Sequence, residues 1–133
     1  MIQPLATAGI AAYAADVTHV EKPWGYELIY AVTDAYCGKL LFVRAGQALS
    51  LQYHERKDET IFLHSGKATV EIGPPGGPLA RETIAPGRAF RIAPRTVHRL
   101  LALEDSAFLE VSTPHLDDVV RLEDSYGRAR ARR

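Results

Sequence analysis

The chain has 133 residues, 47% hydrophobic and 24% charged, and its 16 Lys plus Arg balance 16 Asp plus Glu to a formal net charge of zero. That length fits one globular domain, and the balanced charge argues against nucleic acid or a membrane surface as a partner. A single cysteine, Cys37, excludes an intrachain disulfide and is consistent with the reducing cytoplasm, where we expect the protein to act.

Residues 1–20 read as an N-terminal arm. The opening stretch MIQPLATAGIAAYAAD is apolar, but no Lys or Arg precedes it and Pro4 and Gly9 interrupt it, so we expect neither a secretory signal nor a membrane span. Its Leu5, Ile10 and Tyr13 predict packing on a second copy, and hence a homodimer. His19 in this arm defaults to the surface.

Residues 21–113 break into short β-like runs separated by Gly, Pro and Asp clusters, the spacing of an all-β sandwich or barrel. Trp24 and Tyr26 are expected to cap its core. The runs are YELIY (26–30), KLLFVR (39–44), LSLQYH (49–54), ETIFLH (59–64), residues 67–72, AFRIA (89–93), HRLLAL (98–103) and AFLEVS (107–112). Within 67–72, Ala68, Val70 and Ile72 alternate with Lys67, Thr69 and Glu71, which predicts one apolar face and one wet face. GPPGGP (73–78) predicts a hairpin loop, since prolines donate no ladder hydrogen bond and glycines permit reversal. Residues 114–133 form a C-terminal extension with a basic tail.

Gln52 and His54 stand two apart on a strand, so both side chains project from one face. Residues 55–58 read as a reversal, after which Glu59 opens an adjacent strand beside them. His98 begins a distant strand and completes a candidate set of four metal ligands. One amide oxygen, two imidazoles and a carboxylate suit one divalent ion, zinc first, with manganese, iron, nickel or cobalt also suited.

The spacing Gly46, five residues, Gln52-x-His54, four residues, Glu59, six residues, Gly66 resembles the first cupin motif, with Gln52 in place of the first histidine of the usual His-x-His pair. Gly87 and His98 match the second motif, while Ala93, Arg95 and Ala102 replace its Pro, Gly and Asn. The resemblance implies a single-domain cupin double-stranded β-helix, a jelly-roll barrel. Gln-x-His is similar to the metal site of mannose-6-phosphate isomerases. KPWGYE (22–27), LSLQ (49–52), HRL (98–100) and RLEDSYGR (121–128) resemble the cupin domain of the type II enzymes. HERKDETI (54–61) departs from that pattern, so mannose 6-phosphate itself is expected to be a poor substrate or none.

The resemblance implies an aldose-ketose isomerase or related enzyme acting on a phosphorylated or activated sugar. Glu59, Lys39 and His115 are the candidate catalytic groups, and Lys57, Arg56 and Arg95, together with Arg99, form a candidate clamp for the substrate anion. Strand parity sets Arg99 opposite His98. Two alternatives stand beside this reading: a non-haem iron dioxygenase, because two histidines and one carboxylate also make that ligand set, and a non-catalytic sugar-binding cupin.

Overall fold

A computed structural model describes residues 14–129 of the chain. The arm positions Leu5, Ile10 and Tyr13, with the contact expected of them, and the last four residues of the basic tail lie outside the described residues. The described residues form strands and no helix, so no helix among them is long and apolar enough to cross a membrane. The strands are β1 (Thr18–Lys22), β2 (Gly25–Val32), β3 (Cys37–Val43), β4 (Leu51–Tyr53), β5 (Glu59–Ser65), β6 (Ala68–Gly73), β7 (Ala80–Ile84), β8 (Ala89–Ile92), β9 (Val97–Ala102), β10 (Ser106–Ser112) and β11 (Val120–Glu123).

They build two sheets, in the order β1-β2-β3-β10-β5-β8 and β11-β4-β9-β6-β7. All the pairings are antiparallel. Both sheets contribute to one apolar cluster that includes Leu41, Val43, Leu63, Ala68, Leu100 and Phe108. The architecture is therefore the all-β, cupin-type jelly roll in a single small domain.

Strand parity explains the interior. On β10, Phe108 sits opposite Leu41 and Leu63, Glu110 opposite Lys39 and Ile61, and Ser112 opposite Cys37 and Glu59. The inward face thus changes from apolar to ionisable along the barrel axis. Phe108 is fully buried, a burial that contributes roughly 1.5–3 kcal/mol. Trp24 joins the apolar cluster, whereas Tyr26 stacks on Phe42 at 5.1 Å and lies 4.9 Å from the His19 ring, outside that cluster. The glycines that frame the first motif both adopt left-handed backbone, Gly46 at φ +81 and Gly66 at φ +98. At Gly66 a Cβ would also stand 2.4 Å from the Asp105 carbonyl, so a side chain is excluded twice over.

Two local expectations change. The face of β6 expected to be wet is covered: β6 lies between β7 and β9, Thr69 meets Thr83, and Glu71 is held by Arg99 at 2.8 Å and Arg81 at 3.3 Å. Burial on that side is polar and paired, which keeps the alternation while removing the water. The reversal after His54 does not close a hairpin either. β4 and β5 belong to different sheets, so residues 55–58 carry the chain across the mouth of the barrel. The 73–78 loop does connect an antiparallel pair, β6 and β7, with the Gly77 N–H donating to the Pro74 carbonyl.

Candidate metal centre

Crossing between sheets gives the site its geometry. Gln52 and His98 are direct cross-strand partners on β4 and β9, and His54 follows the end of β4. Glu59 faces them from β5 in the other sheet. Ligand atoms of His54, Glu59 and His98 all lie within 4.8 Å of one another, and all three residues are buried. Gln52 lines the same cavity, which has a volume of about 100 Å³.

Backbone carbonyls fix both imidazoles. Nδ1 of His54 lies 2.5 Å from the Asp118 carbonyl and Nδ1 of His98 lies 2.9 Å from the Thr96 carbonyl. A carbonyl only accepts, so each Nδ1 carries a proton and each ring turns its Nε2 inward. Those nitrogens face a carboxylate: Glu59 Oε2 is 3.0 Å from His54 Nε2, and Oε1 is 3.9 Å from His98 Nε2. Glu59 Oε2 is buried and accepts no hydrogen bond of good geometry. Two imidazole nitrogens and one carboxylate converging in a buried space are a donor set that fits a divalent metal.

A second layer of charge adjoins the first. Lys57 Nζ lies 3.2 Å from Glu59 Oε2 and 2.9 Å from Glu110 Oε2, and Lys39 Nζ lies 3.3 Å from Glu27 Oε1. Burial pulls the Glu59 carboxyl upward, but the contact with His54 and the charge of Lys57 outweigh it and hold the group down at about 2. Burial likewise works against the Lys57 ammonium, yet Glu110 and Glu59 raise it above the ordinary lysine value. Glu110 is pushed up, first by burial and then by Glu59. Burial lowers the His98 imidazole, which favours the neutral form a ligand needs.

Of the residues singled out in the sequence, Gln52, His54, Glu59, His98, Lys39 and Lys57 line this cavity. Four others lie elsewhere. His115 is hydrogen-bonded to Thr113 Oγ1 at 2.8 Å and does not line the cavity. Arg56 is exposed on the reversal. Arg95 is exposed, pairs with Glu55 at 2.7 Å and lies over the Tyr53 ring. Its φ of +67 puts it in the left-handed turn that a glycine occupies in the usual second motif. Arg99 is engaged with Glu71 and Glu123. The clamp expected of Arg56, Lys57, Arg95 and Arg99 therefore does not assemble, because Lys57 turns inward while the three arginines pair with surface or sheet-face carboxylates or with solvent.

Residues not anticipated complete the surroundings. Glu110 and Glu27 carry the partner carboxylates. The signal for Glu110 lay in AFLEVS, where an ionisable residue shares parity with Phe108. Asp118 accepts the backbone N–H groups of Glu55, Arg56 and Lys57 at 3.0, 2.7 and 2.9 Å, while its own carbonyl orients His54. The three N–H donors outweigh burial and hold its carboxyl down at about 2.

No protein-family model and no curated protein matches the chain. Among solved structures, the chain is similar to the capsular polysaccharide assembling protein CapF from Staphylococcus aureus, with TM-score 0.70 and 15% identity over 81% of this chain and 34% of that one. It is similar to Bacillus subtilis oxalate decarboxylase, a protein with Mn(II) centres, with TM-score 0.68 and 21% identity over 78% of this chain and 29% of that one. It is also similar to KdgF from Halomonas sp., with TM-score 0.62 and 27% identity over 75% of this chain and 88% of that one. The chain thus spans about a third of the length of CapF and of the decarboxylase, and most of the length of KdgF. These likenesses place the fold among cupins.

Proposed function

We propose that the chain is a metal-dependent enzyme that moves protons on a phosphorylated or activated sugar, in the manner of an aldose-ketose isomerase. The observation that carries this reading is a buried set of converging ligand atoms, from His54, Glu59 and His98, opening on the same cavity as the buried Lys57–Glu110 pair. Gln52 is the fourth donor. Zinc is our first assignment for the ion, with manganese, iron, nickel or cobalt suited to the same donors. When bound, the metal supplies Lewis acidity to a carbonyl and its neighbouring hydroxyl.

The chain's own residues supply the rest. The Lys57 ammonium is placed to balance negative charge as it develops on a substrate oxygen, and Glu110 at 2.9 Å is placed to take and return a proton. Glu59 belongs to the ligand set and His115 lies outside the cavity, so Glu110 replaces both as our assignment for the base. Lys39, paired with Glu27, contributes to the polar wall, and Trp24, Leu41, Ile61 and Leu100 form an apolar wall that keeps bulk water out. The sequence resemblance to type II mannose-6-phosphate isomerases supports a sugar phosphate or sugar nucleotide as the substrate class.

Metal analysis and proton exchange test the reading together. Purified protein should carry about one divalent ion per chain, and His54→Ala or His98→Ala should remove most of it. In deuterated water the wild type should exchange the C2 proton of one member of a panel of pentose, hexose and heptose phosphates and sugar nucleotides, and Glu110→Gln should stop this while keeping the metal. Full metal retention in both histidine variants overturns the centre; absence of exchange across the panel overturns the isomerase chemistry. The two-histidine, one-carboxylate set favours one second reading, a non-haem iron oxygenase, marked by iron(II)-dependent oxygen consumption.

A further inference from the structure

Five cationic side chains line the cavity: Lys22, Lys39, Lys57, Arg121 and Arg128. Three are neutralised within the protein, Lys39 by Glu27, Lys57 by Glu59 and Glu110, and Arg128 by Asp124 at 2.7 Å. Arg121 has no carboxylate partner among the described residues, and its buried Nε has no hydrogen-bond acceptor. A buried N–H left without an acceptor costs about 1–3 kcal/mol, which an arriving acceptor would recover.

The placement of Arg121 is specific. It is the cross-strand partner of Gln52, which is in turn the partner of His98, so Arg121, Gln52 and His98 form one row across β11, β4 and β9. Cross-strand partners share a face, and this is the face that carries the ligands. The register between β11 and β4 slips just beyond Arg121, a bulge of the kind that re-aims a side chain. A planar guanidinium has the fork geometry for two oxygens of a phosphate or carboxylate. Lys22, also without an ion-pair partner among the described residues, lines the same cavity and adds to the positive field.

We propose that Arg121 anchors the anionic group of the substrate, receiving a phosphate or carboxylate oxygen beside the metal ligands while the sugar oxygens reach the ion. The proposal rests on the sugar-directed reading above and narrows it to ligands that carry an oxyanion. It also relocates the anion site from Arg56, Lys57, Arg95 and Arg99, where the sequence suggested it, to the C-terminal strand.

Isothermal titration of the full, metal-loaded chain tests it. The probes are glucose 6-phosphate, ribose 5-phosphate, glucuronate, neutral glucose and inorganic phosphate. A phosphate-bearing probe or glucuronate should bind at least about ten-fold tighter than glucose, and which of them does so identifies the oxyanion. Arg121→Gln should weaken that ligand by about 10- to 100-fold and leave the affinity for glucose and the metal content unchanged, with Arg121→Lys retaining part of the preference. Equal binding of the anionic probes to wild type and Arg121→Gln, or no preference for anions in the wild type, overturns the anchor. Anion preference lost in Arg121→Gln without proton exchange in the wild type overturns the isomerase chemistry alone and leaves the anchor standing.

Discussion

Asp118 makes a claim on both stability and metal affinity, and Asp118→Ala separates them. The substitution removes three charge-assisted acceptor contacts to the backbone of residues 55–57. Glu55 and Arg56 are exposed, so water replaces the lost acceptor there and each bond is worth about 0.5–1 kcal/mol. The Lys57 N–H is partly buried and loses about 1–3 kcal/mol. The sum is about 2–5 kcal/mol, or on the order of 10 °C in Tm for a chain of this size. The variant keeps a backbone carbonyl for His54 Nδ1, but that carbonyl loses its tether, and loosening such an outer partner lowers metal affinity by about 10- to 100-fold. Urea unfolding of the metal-free protein and zinc titration against a competing chelator measure the two effects. An unfolding free energy within about 0.5 kcal/mol of wild type, or unchanged zinc affinity, refutes the coupling between the C-terminal segment and the ligand loop.

Three more outcomes follow from the same geometry. Lys57→Met leaves Glu59 and Glu110 buried without their shared cation and should destabilise the metal-free protein by about 3–5 kcal/mol at neutral pH in chemical denaturation, with part of the loss restored by acid or by metal. Asp124 accepts the Nε, Nη2 and backbone N of Arg128, which hold its carboxyl below the ordinary 3.8. A depressed folded value stabilises above pH 3.8 and is lost as pH falls through that lower value, so Asp124→Asn should lower Tm at neutral pH and shrink the acid limb of the wild-type curve. The six-stranded sheet exposes Tyr30, Val32, Phe62 and Val111, with the Tyr30 ring lying over Gly38. We expect this face to join two copies, and Val111→Asp should move the light-scattering mass from dimer toward monomer.

Most strands legible in the sequence lie inside the sheets or carry the motif, AFRIA, the edge strand β8, being the exception. YELIY, KLLFVR, LSLQYH, ETIFLH, HRLLAL and AFLEVS all lie within a residue or two of β2, β3, β4, β5, β9 and β10. THVEK, ARETI and VRLE were not legible as β1, β7 and β11, and all three are edge strands. An edge strand pairs on one side only and needs no clean alternation; in β7, Ile84 alone is buried. That Gln52, His54 and Glu59 share one cavity was legible because they are close in sequence and parity fixes where two of them point. The anion clamp was not, because proximity in a reversal says nothing about which side chains turn inward. Lys57 turned in toward Glu110, a contact between segments that no local pattern encodes.

The bridge between sheets has a consequence for the order in which the centre assembles. His54 and Glu59 bracket one reversal and can meet an ion in a chain that has formed nothing else, since closing so short a loop costs little entropy. His98 arrives from a later hairpin and joins only when β9 docks beside β4. Ion capture during folding would therefore proceed in two stages, weak and local first, then tight once the two sheets have closed. The reverse also holds: an ion held from both sheets leaves only as quickly as the mouth of the barrel opens, so its release reports the breathing of the folded protein rather than the strength of any single ligand bond.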